Sequence, residues 1–488
     1  VQPQRQSSSA VVTTAAPAIQ TLGELRTSGH RFTSVKDEIR QNLIARLRAG
    51  EDPFPGILGF EDTVRPHLER ALIAGHDVIL LGERGQGKTR LIRTLTGLLD
   101  EWSPVIEGCE INDHPYEPVC VRCRRLANAH GEDLPVTWRH RSDRYGEKLA
   151  TPDTSVGDLI GDIDPVKVAE GRTLGDPETI HYGLVPRTNR GVFCLNELPD
   201  LAERIQVSLL NVLEERDIAV RGYALRLPLD VVLVASANPE DYTNRGRIIT
   251  PLKDRFGAEI RTHYPLSLDD ELSVIRQEAE IAWSAEGQED ADGQNAALPP
   301  HLTEVIARFT RLVRSSPAVD SRSGVSARFA IAAAEAVVAA AVRRAAITGE
   351  DQPVARICDL PAIVSTLRGK VEFEVSEEGR EGEVLEHLMR RAIADTFRAH
   401  LGSADMSGLV ARFAEGGSVE CSDMVPADEL LRRIGEVPGL AKIMERLDGD
   451  GGESFGQAAA ALEFALEGLY LMRRLSKDTA NGGSVYRS

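Results

Sequence analysis

Apolar residues recur along this chain with two different periods, and the change from one to the other divides it into regions. Residues 35–47 have helical spacing, and a Pro-bearing link at 52–55 leads from them into GILGFEDTVRPHLERALIAG, where a folded domain begins. Residues 77–81 are a short apolar run followed at once by a Gly-rich turn and then by LIRTLTGLL. That is the strand, loop and helix order of a phosphate-binding βα unit. Two further apolar runs, 192–195 and 231–235, read as buried strands of the same parallel sheet. Between them Ile205, Leu209, Val212 and Leu213 fall at i, i+4, i+7 and i+8, one face of a helix that can pack on that sheet. Helices alternating with buried strands predict an α/β domain. Beyond Pro265 the pattern is almost wholly helical, with an acidic, Gly-containing stretch at 286–295 that reads as an exposed loop. The Ala-rich run 327–347 is interrupted by Arg328, Glu335, Arg343 and Arg344, so it predicts a helix in water and not a membrane span. From residue 371 onward helical segments alternate with Gly-rich turns, and no internal repeat is visible.

Composition narrows the function. At 488 residues the chain is too long for one ordinary core. Hydrophobic residues at 42% and charged residues at 27% are the balance of a globular protein. A formal net charge of -18 disfavours a phosphate backbone as partner unless basic residues gather on one face, so nucleic acid is not expected. The first twenty residues are rich in Ser, Thr and Ala, lack acids and carry no apolar segment with a cleavage pattern. They read as a disordered tail, with a transit-like segment as the alternative. Six cysteines are too sparse for a disulfide scaffold, and a reducing cytoplasm is the expected location.

The strongest chemical signal is Gly82-Glu83-Arg84-Gly85-Gln86-Gly87-Lys88-Thr89, continued by Arg90, which satisfies GxxxxGK[ST] between a strand and a helix. Its glycines let backbone N–H groups face phosphate oxygens. Lys88 can bridge the β and γ phosphates of ATP, and the Thr89 hydroxyl can ligate Mg²⁺. A second polar position closes the apolar strand Gly191-Val-Phe-Cys-Leu with Asn196-Glu197. A third, Asn238, follows the strand at 231–235 in Ala-Ser-Ala-Asn-Pro-Glu-Asp.

Taken together, these segments resemble AAA+ ATPases. In that class the second strand usually ends in Asp-Glu, the Asp orienting hydrated Mg²⁺ and the Glu polarising the attacking water. Here Asn196 replaces the Asp; its amide oxygen can still accept from a metal-bound water but brings no charge. The resemblance implies Glu197 as general base or water-orienting group, and Asn238 as the sensor 1 amide. Pro251-Leu-Lys-Asp-Arg255-Phe-Gly looks like the LLDRFG segment of magnesium chelatase I subunits, which makes Arg255, with Arg247 second, the arginine reaching a neighbouring subunit's γ phosphate. The bland alternative is a surface Arg paired with Asp254. Ser323-Gly-Val-Ser-Ala-Arg328 resembles a sensor 2 segment, with Arg322 competing for the role of Arg328. Residues 149–186 resemble the helix 2 insert of chelatase-type proteins, and 215–231, which alternate like a hairpin, resemble the hairpin before sensor 1.

The chain is thus identified as similar to the magnesium chelatase I subunit and MoxR-like group. The resemblance implies an α/β P-loop AAA+ parallel sheet with flanking helices, an all-α lid and a helical C-terminal domain. Its boundaries are a disordered tail at 1–33, an N-terminal helix at 34–52, the core at 53–265, the lid at 266–370 and the last domain at 371–488. It also implies ATP and Mg²⁺ as cofactors, a homo-oligomeric ring of hexamer type, and a partner carrying a von Willebrand A domain. Two other readings stay open. A DNA-associated AAA+ regulator or motor lacks the expected GAFTGA loop, helix-turn-helix and basic stripe. A nucleotide-gated scaffold with little turnover is compatible with Asn196.

The insertion at 105–145 departs from the family. Cys109 and Cys120-Val-Arg-Cys123 lie near His114, His130 and His140, a mixture of thiolate and imidazole that could close a tetrahedral Zn²⁺ site. A second CxxC is absent, so unbound thiols are the alternative. Cys194, Cys358 and Cys421 read as small core residues.

Overall fold

The computed structural model describes residues 15–170, 179–214, 227–238, 247–281, 296–320, 324–414, 416–448, 454–480 and 483–487. Two compact units emerge: residues 1–83 with 87–263, and residues 264–488 with 84–86.

The first unit contains strands β1 (Val78–Leu81), β2 (Trp102–Ile106), β3 (Val136–His140), β4 (Tyr145–Leu149), β5 (Gly161–Ile163), β6 (Ile180–Tyr182), β7 (Gly191–Asn196), β8 (Val231–Ala237) and β9 (Ala258–Arg261). Five of them make one all-parallel sheet in the order β4-β7-β8-β1-β9. The pairs β2–β3 and β5–β6 are small antiparallel ribbons. The three central strands are those the apolar runs predict. The edge strands β4 and β9 escaped that reading because their side chains are mostly half-buried or exposed, and no continuous apolar run marks them.

Alternation along each central strand sends successive side chains to opposite faces. Val78, Leu80, Val192, Cys194, Val232 and Val234 pack with Leu43, Leu68, Leu72 and Leu91, from helices α2 (Val35–Ala49), α3 (Val64–Ile73) and α4 (Lys88–Thr94). Ile79, Leu81, Phe193, Leu195 and Leu233 pack on the other face with Leu209 and Val212 of helix Glu203–Glu214, as its spacing predicts. The insertion joins this second face through Cys109, Ile111 and Cys123.

Helix α2 is bounded by the Ser34 cap, whose hydroxyl accepts from Asp37 N, and by Gly50 at φ 69°. Its Glu38 is buried and receives both Nη atoms of Arg144 at 2.7 and 2.6 Å. Arg144 directly precedes β4, so this pair pins α2 to the edge of the sheet. Leaving either charge buried alone would cost several kcal/mol, about 3–5.

Two boundary expectations need correction. The tail expected over 1–33 contains an ordered helix, α1 (Leu22–Thr27), with Leu22 and Leu25 buried. Its cause is local: Thr21 and Glu24 form a reciprocal capping box that composition alone does not weigh. Second, the lid at 266–370 and the domain at 371–488 are not separate. One core runs from Ile275 through Phe309, Phe329, Phe397 and Phe464 to Tyr486. The reason is helix Phe455–Leu471, which buries residues on every side and so needs neighbours from both halves. The C-terminal part is helical as expected and carries in addition a small antiparallel sheet, β10 (Ser418–Cys421), β11 (Ser476–Ala480) and β12 (Gly483–Arg487), in the order β10-β12-β11. Its strands are short and polar on one face, a weak signal in sequence.

Residues 1–14, the acidic stretch 286–295, the helix 2 insert's 171–178, the hairpin's 215–226, and Arg322 with Ser323 lie outside the described residues. Among the described residues no helix is long and apolar enough to cross a membrane.

Candidate nucleotide site

The parallel order brings the C-terminal ends of β1, β7 and β8 side by side, and that edge is where open α/β sheets bind ligands. Gly82 N donates to Ala237 O at 3.1 Å, so the loop after β1 leaves the sheet against the end of β8. Gly85 and Gly87 have φ of 74° and 77°, left-handed conformations that a side chain would strain. Directly after Gly87, α4 begins at Lys88.

Lys88 is buried. Its ammonium donates to Gly82 O, to Glu83 O at 2.9 Å and to Asn238 Oδ1 at 3.0 Å. All three acceptors are neutral, and an anionic phosphate oxygen makes a stronger, charge-assisted partner. Thr89 Oγ1 donates to Asn196 Oδ1 at 3.3 Å, which also accepts from Ser236 Oγ at 3.1 Å and from Cys194 Sγ at 3.4 Å. The other end of the amide donates from Nδ2 to Glu147 Oε1 at 2.8 Å. Asn196 is therefore oriented with its oxygen toward Thr89.

Glu197 is held at φ 55° and ψ 49°, an αL conformation unusual for a residue with a side chain. Its N–H donates to Ser236 Oγ at 3.3 Å, and its Oε2 accepts from Asn238 Nδ2 at 3.1 Å. Asn238 thus joins the Lys88 ammonium to the Glu197 carboxylate. Lys88, Thr89, Asn196, Glu197 and Asn238 form one connected polar cluster in the first unit. Its uncharged and carboxylate oxygens suit a hard, hydrated cation such as Mg²⁺.

Two members were missed in sequence. Ser236 sits opposite Leu80 in β8 and looked like part of an apolar strand. Glu147 belongs to the edge strand β4, whose pairing with β7 sets Glu147 opposite Cys194. Arg93 donates to Glu147 at 2.9 and 3.1 Å, and Tyr145 Oη at 2.9 Å. Burial alone would raise the Glu147 carboxyl, but the hydrogen bonds from Arg93, Tyr145 and Asn196 leave it below its usual range. It is a carboxylate on the same amide whose sequence position lacks one.

The remaining candidates lie apart from this cluster or in the second unit. Arg90 is exposed in the first turn of α4. Arg255 closes helix Thr250–Arg255, half-exposed, with Nη1 donating to Pro251 O at 2.9 Å. Arg247 is exposed and its carbonyl accepts from Gln206 Nε2 at 3.0 Å. Arg84, Gly85 and Gln86 cluster with the second unit. In that unit Arg328 is exposed in the first turn of helix Ala327–Thr348, capped by Ser326.

The insertion brings Cys109, Cys120 and Cys123 together, and the fourth member is Asp113. The histidines suggested by sequence are elsewhere. His114 has Nε2 against His30 Nε2 at 3.2 Å and Nδ1 accepting from Tyr116 N at 3.0 Å, so both ring nitrogens are engaged. Burial pushes its pKa down to about 2. His140 Nδ1 pairs with Ser142.

Over 272 residues, 51% of its length, the chain is 30% identical to the magnesium-chelatase 38 kDa subunit of Cereibacter sphaeroides and covers 73% of that protein. It belongs to the magnesium-chelatase I-subunit family. Another member, the magnesium-chelatase subunit ChlI of Nephroselmis olivacea, is 27% identical over 272 residues, 53% of this chain and 71% of that one. The Sigma-54 interaction domain model matches residues 173–255. Among solved structures, the complex between subunits BchI and BchD of magnesium chelatase gives 23% identity and a TM-score of 0.34, over 69% of this chain and 98% of that one. As a chelatase-I-type AAA+ protein the chain is an ATPase that uses nucleotide and Mg²⁺. The parallel sheet with flanking helices is the fold expected of the family.

Proposed function

We propose that this ATPase is the motor of a chelatase-like or MoxR-like assembly, remodelling a partner protein complex for metal insertion or complex maturation. The observation that carries the reading is the connected cluster Lys88, Thr89, Asn196, Glu197 and Asn238 at one edge of the sheet. Lys88, released from its carbonyl acceptors, holds the β and γ phosphates. Thr89 and the oriented Asn196 oxygen would hold Mg²⁺, Asn196 by way of a water on the ion, with the Glu147 carboxylate behind the amide. When bound, the cation supplies neutralisation of phosphate charge. Glu197 takes or orients the proton of the attacking water, while Asn238 positions that carboxylate. Arg255 serves the site of a second copy in a homo-oligomeric ring of hexamer type. Arg328 couples nucleotide state to the helical unit. The partner best suited to such a motor carries a von Willebrand A domain, a reading supported by the family relationship.

The test is affinity purification of Glu197→Gln in ATP and Mg²⁺, followed by mass spectrometry. Turnover should fall about 10²- to 10⁴-fold with nucleotide binding retained, and a stalled ring should keep its clients longest. Recovery of a von Willebrand A protein supports the reading. Recovery of polymerase, replication proteins or DNA instead replaces it with a DNA-associated job.

A further inference from the structure

We infer that the insertion holds a structural zinc ion, ligated by Cys109, Cys120, Cys123 and the Asp113 carboxylate. All four side chains are buried, and their ligand atoms lie within 4.8 Å of one another. Tetrahedral coordination with Zn–S near 2.3 Å separates ligand atoms by about 3.8 Å, so modest adjustment closes a mononuclear site. Iron–sulfur clusters instead interpose bridging sulfides and hold their cysteines farther apart.

The decisive group is Asp113. It is 1% exposed, and its Oδ1 has no hydrogen-bond partner. Its other oxygen is fully employed, accepting from Val119 N at 3.0 Å and from Cys120 N at 2.8 Å. Two backbone donors therefore clamp one oxygen of the carboxylate while the other is left without a donor among three thiols. An orphaned carboxylate oxygen in a buried pocket is costly, and a cation at that point satisfies it.

The backbone around the thiols is arranged in the same sense. Cys123 N donates to Cys120 Sγ at 3.3 Å, and Asp113 N donates to Cys109 Sγ at 3.3 Å. Such N–H to sulfur bonds stabilise thiolates and orient them toward a metal. Arg122 Nη1 lies 4.0 Å from Cys123 Sγ, a positive charge beside a ligand set whose total charge is negative. Soft sulfur ligands with one oxygen suit zinc better than Mg²⁺ or Ca²⁺.

The ion would fasten the turn after β2 to the start of helix α5 (Val121–His130). Within that turn Asn112 adopts φ 57° and its Nδ2 donates to Arg187 O at 2.8 Å, just ahead of β7. Zinc would thereby brace the strand that ends in Asn196 without touching nucleotide.

Metal analysis of the full chain, purified without added metal or chelator, tests this. The wild type and Cys358→Ser should carry about one zinc per chain, while Cys123→Ser and Asp113→Ala should fall below about a tenth. Full zinc in Asp113→Ala would overturn the assigned ligand set, and less than about a tenth of an equivalent in the wild type would overturn the site. Should a variant fail to fold, Co²⁺ exchange into the wild-type chain reads the ligands directly. Thiolate-to-cobalt charge-transfer bands with tetrahedral d–d bands are expected; a weak octahedral spectrum would sink the assignment.

Discussion

Asn196 lies at hydrogen-bond distance from Glu147, Thr89, Ser236 and Cys194, so its environment is set from three strands and a helix. Replacing it by Asp would add the charge usual in the class but would set two carboxylates against each other where Nδ2 now donates at 2.8 Å. Without Mg²⁺, Asn196→Asp should melt roughly 2–4 °C lower per kcal/mol of repulsion, a difference that Mg²⁺ abolishes. In a Glu147→Gln background the penalty should vanish, and the half-saturating Mg²⁺ concentration for ATPase activity should be lower than in Glu147→Gln alone. Melting scans with and without Mg²⁺ measure the first effect; an equal penalty in both backgrounds would show that Glu147 does not govern this position. The Gly82–Thr89 loop was legible in sequence because φ-permissive glycines, a lysine and a hydroxyl must occur at fixed spacing. Glu147 was not, because a lone acid in a polar edge strand carries no local sign of the neighbour it meets.

Helices Pro300–Arg314 and Glu381–Leu401 are joined by Glu304 and His400, whose Nε2 lies 2.7 Å from the carboxylate. That hydrogen bond raises the His400 pKa above 6.5, burial opposing it. A group with a raised folded pKa contributes stability that is fully present below its unfolded value and is lost as pH rises through the folded one. Glu304 is shifted the opposite way: burial pushes it up, but the bonds from His400 and Arg308 leave it lowered, so its contribution disappears on acidification. The melting temperature of wild type over His400→Gln should therefore be highest near about pH 5–6 and shrink as the solution becomes basic. A difference independent of pH would mean the contact is merely packing. The helices themselves follow from periodicity, as does Glu203–Glu214. By contrast α1 depends on a four-residue capping box, and β4 and β9 on pairing with strands far away in sequence.

At the scale of the assembly, Arg255 decides whether the active site is made by one chain or two. Its half-exposed place at a helix end is compatible with reaching another copy. Arg255→Ala should lower ATP turnover by about 10³-fold. An equimolar mixture of Arg255→Ala and Glu197→Gln chains should regain activity, because some interfaces then join an intact Glu197 to an intact Arg255. No recovery in the mixture, with each variant still assembling, would place the arginine's action within its own chain. What the sequence by itself determined was the α/β class, the central strands, the phosphate loop and the candidates Glu197 and Asn238, because each depends on residues close together in the chain or on a period along it. Only the tertiary structure decided that Glu147 stands beside Asn196, that Asp113 and not a histidine completes the thiol cluster, and that residues 264–488 share one core. Those relations depend on parallel pairing and helix packing between distant segments, which local spacing does not encode.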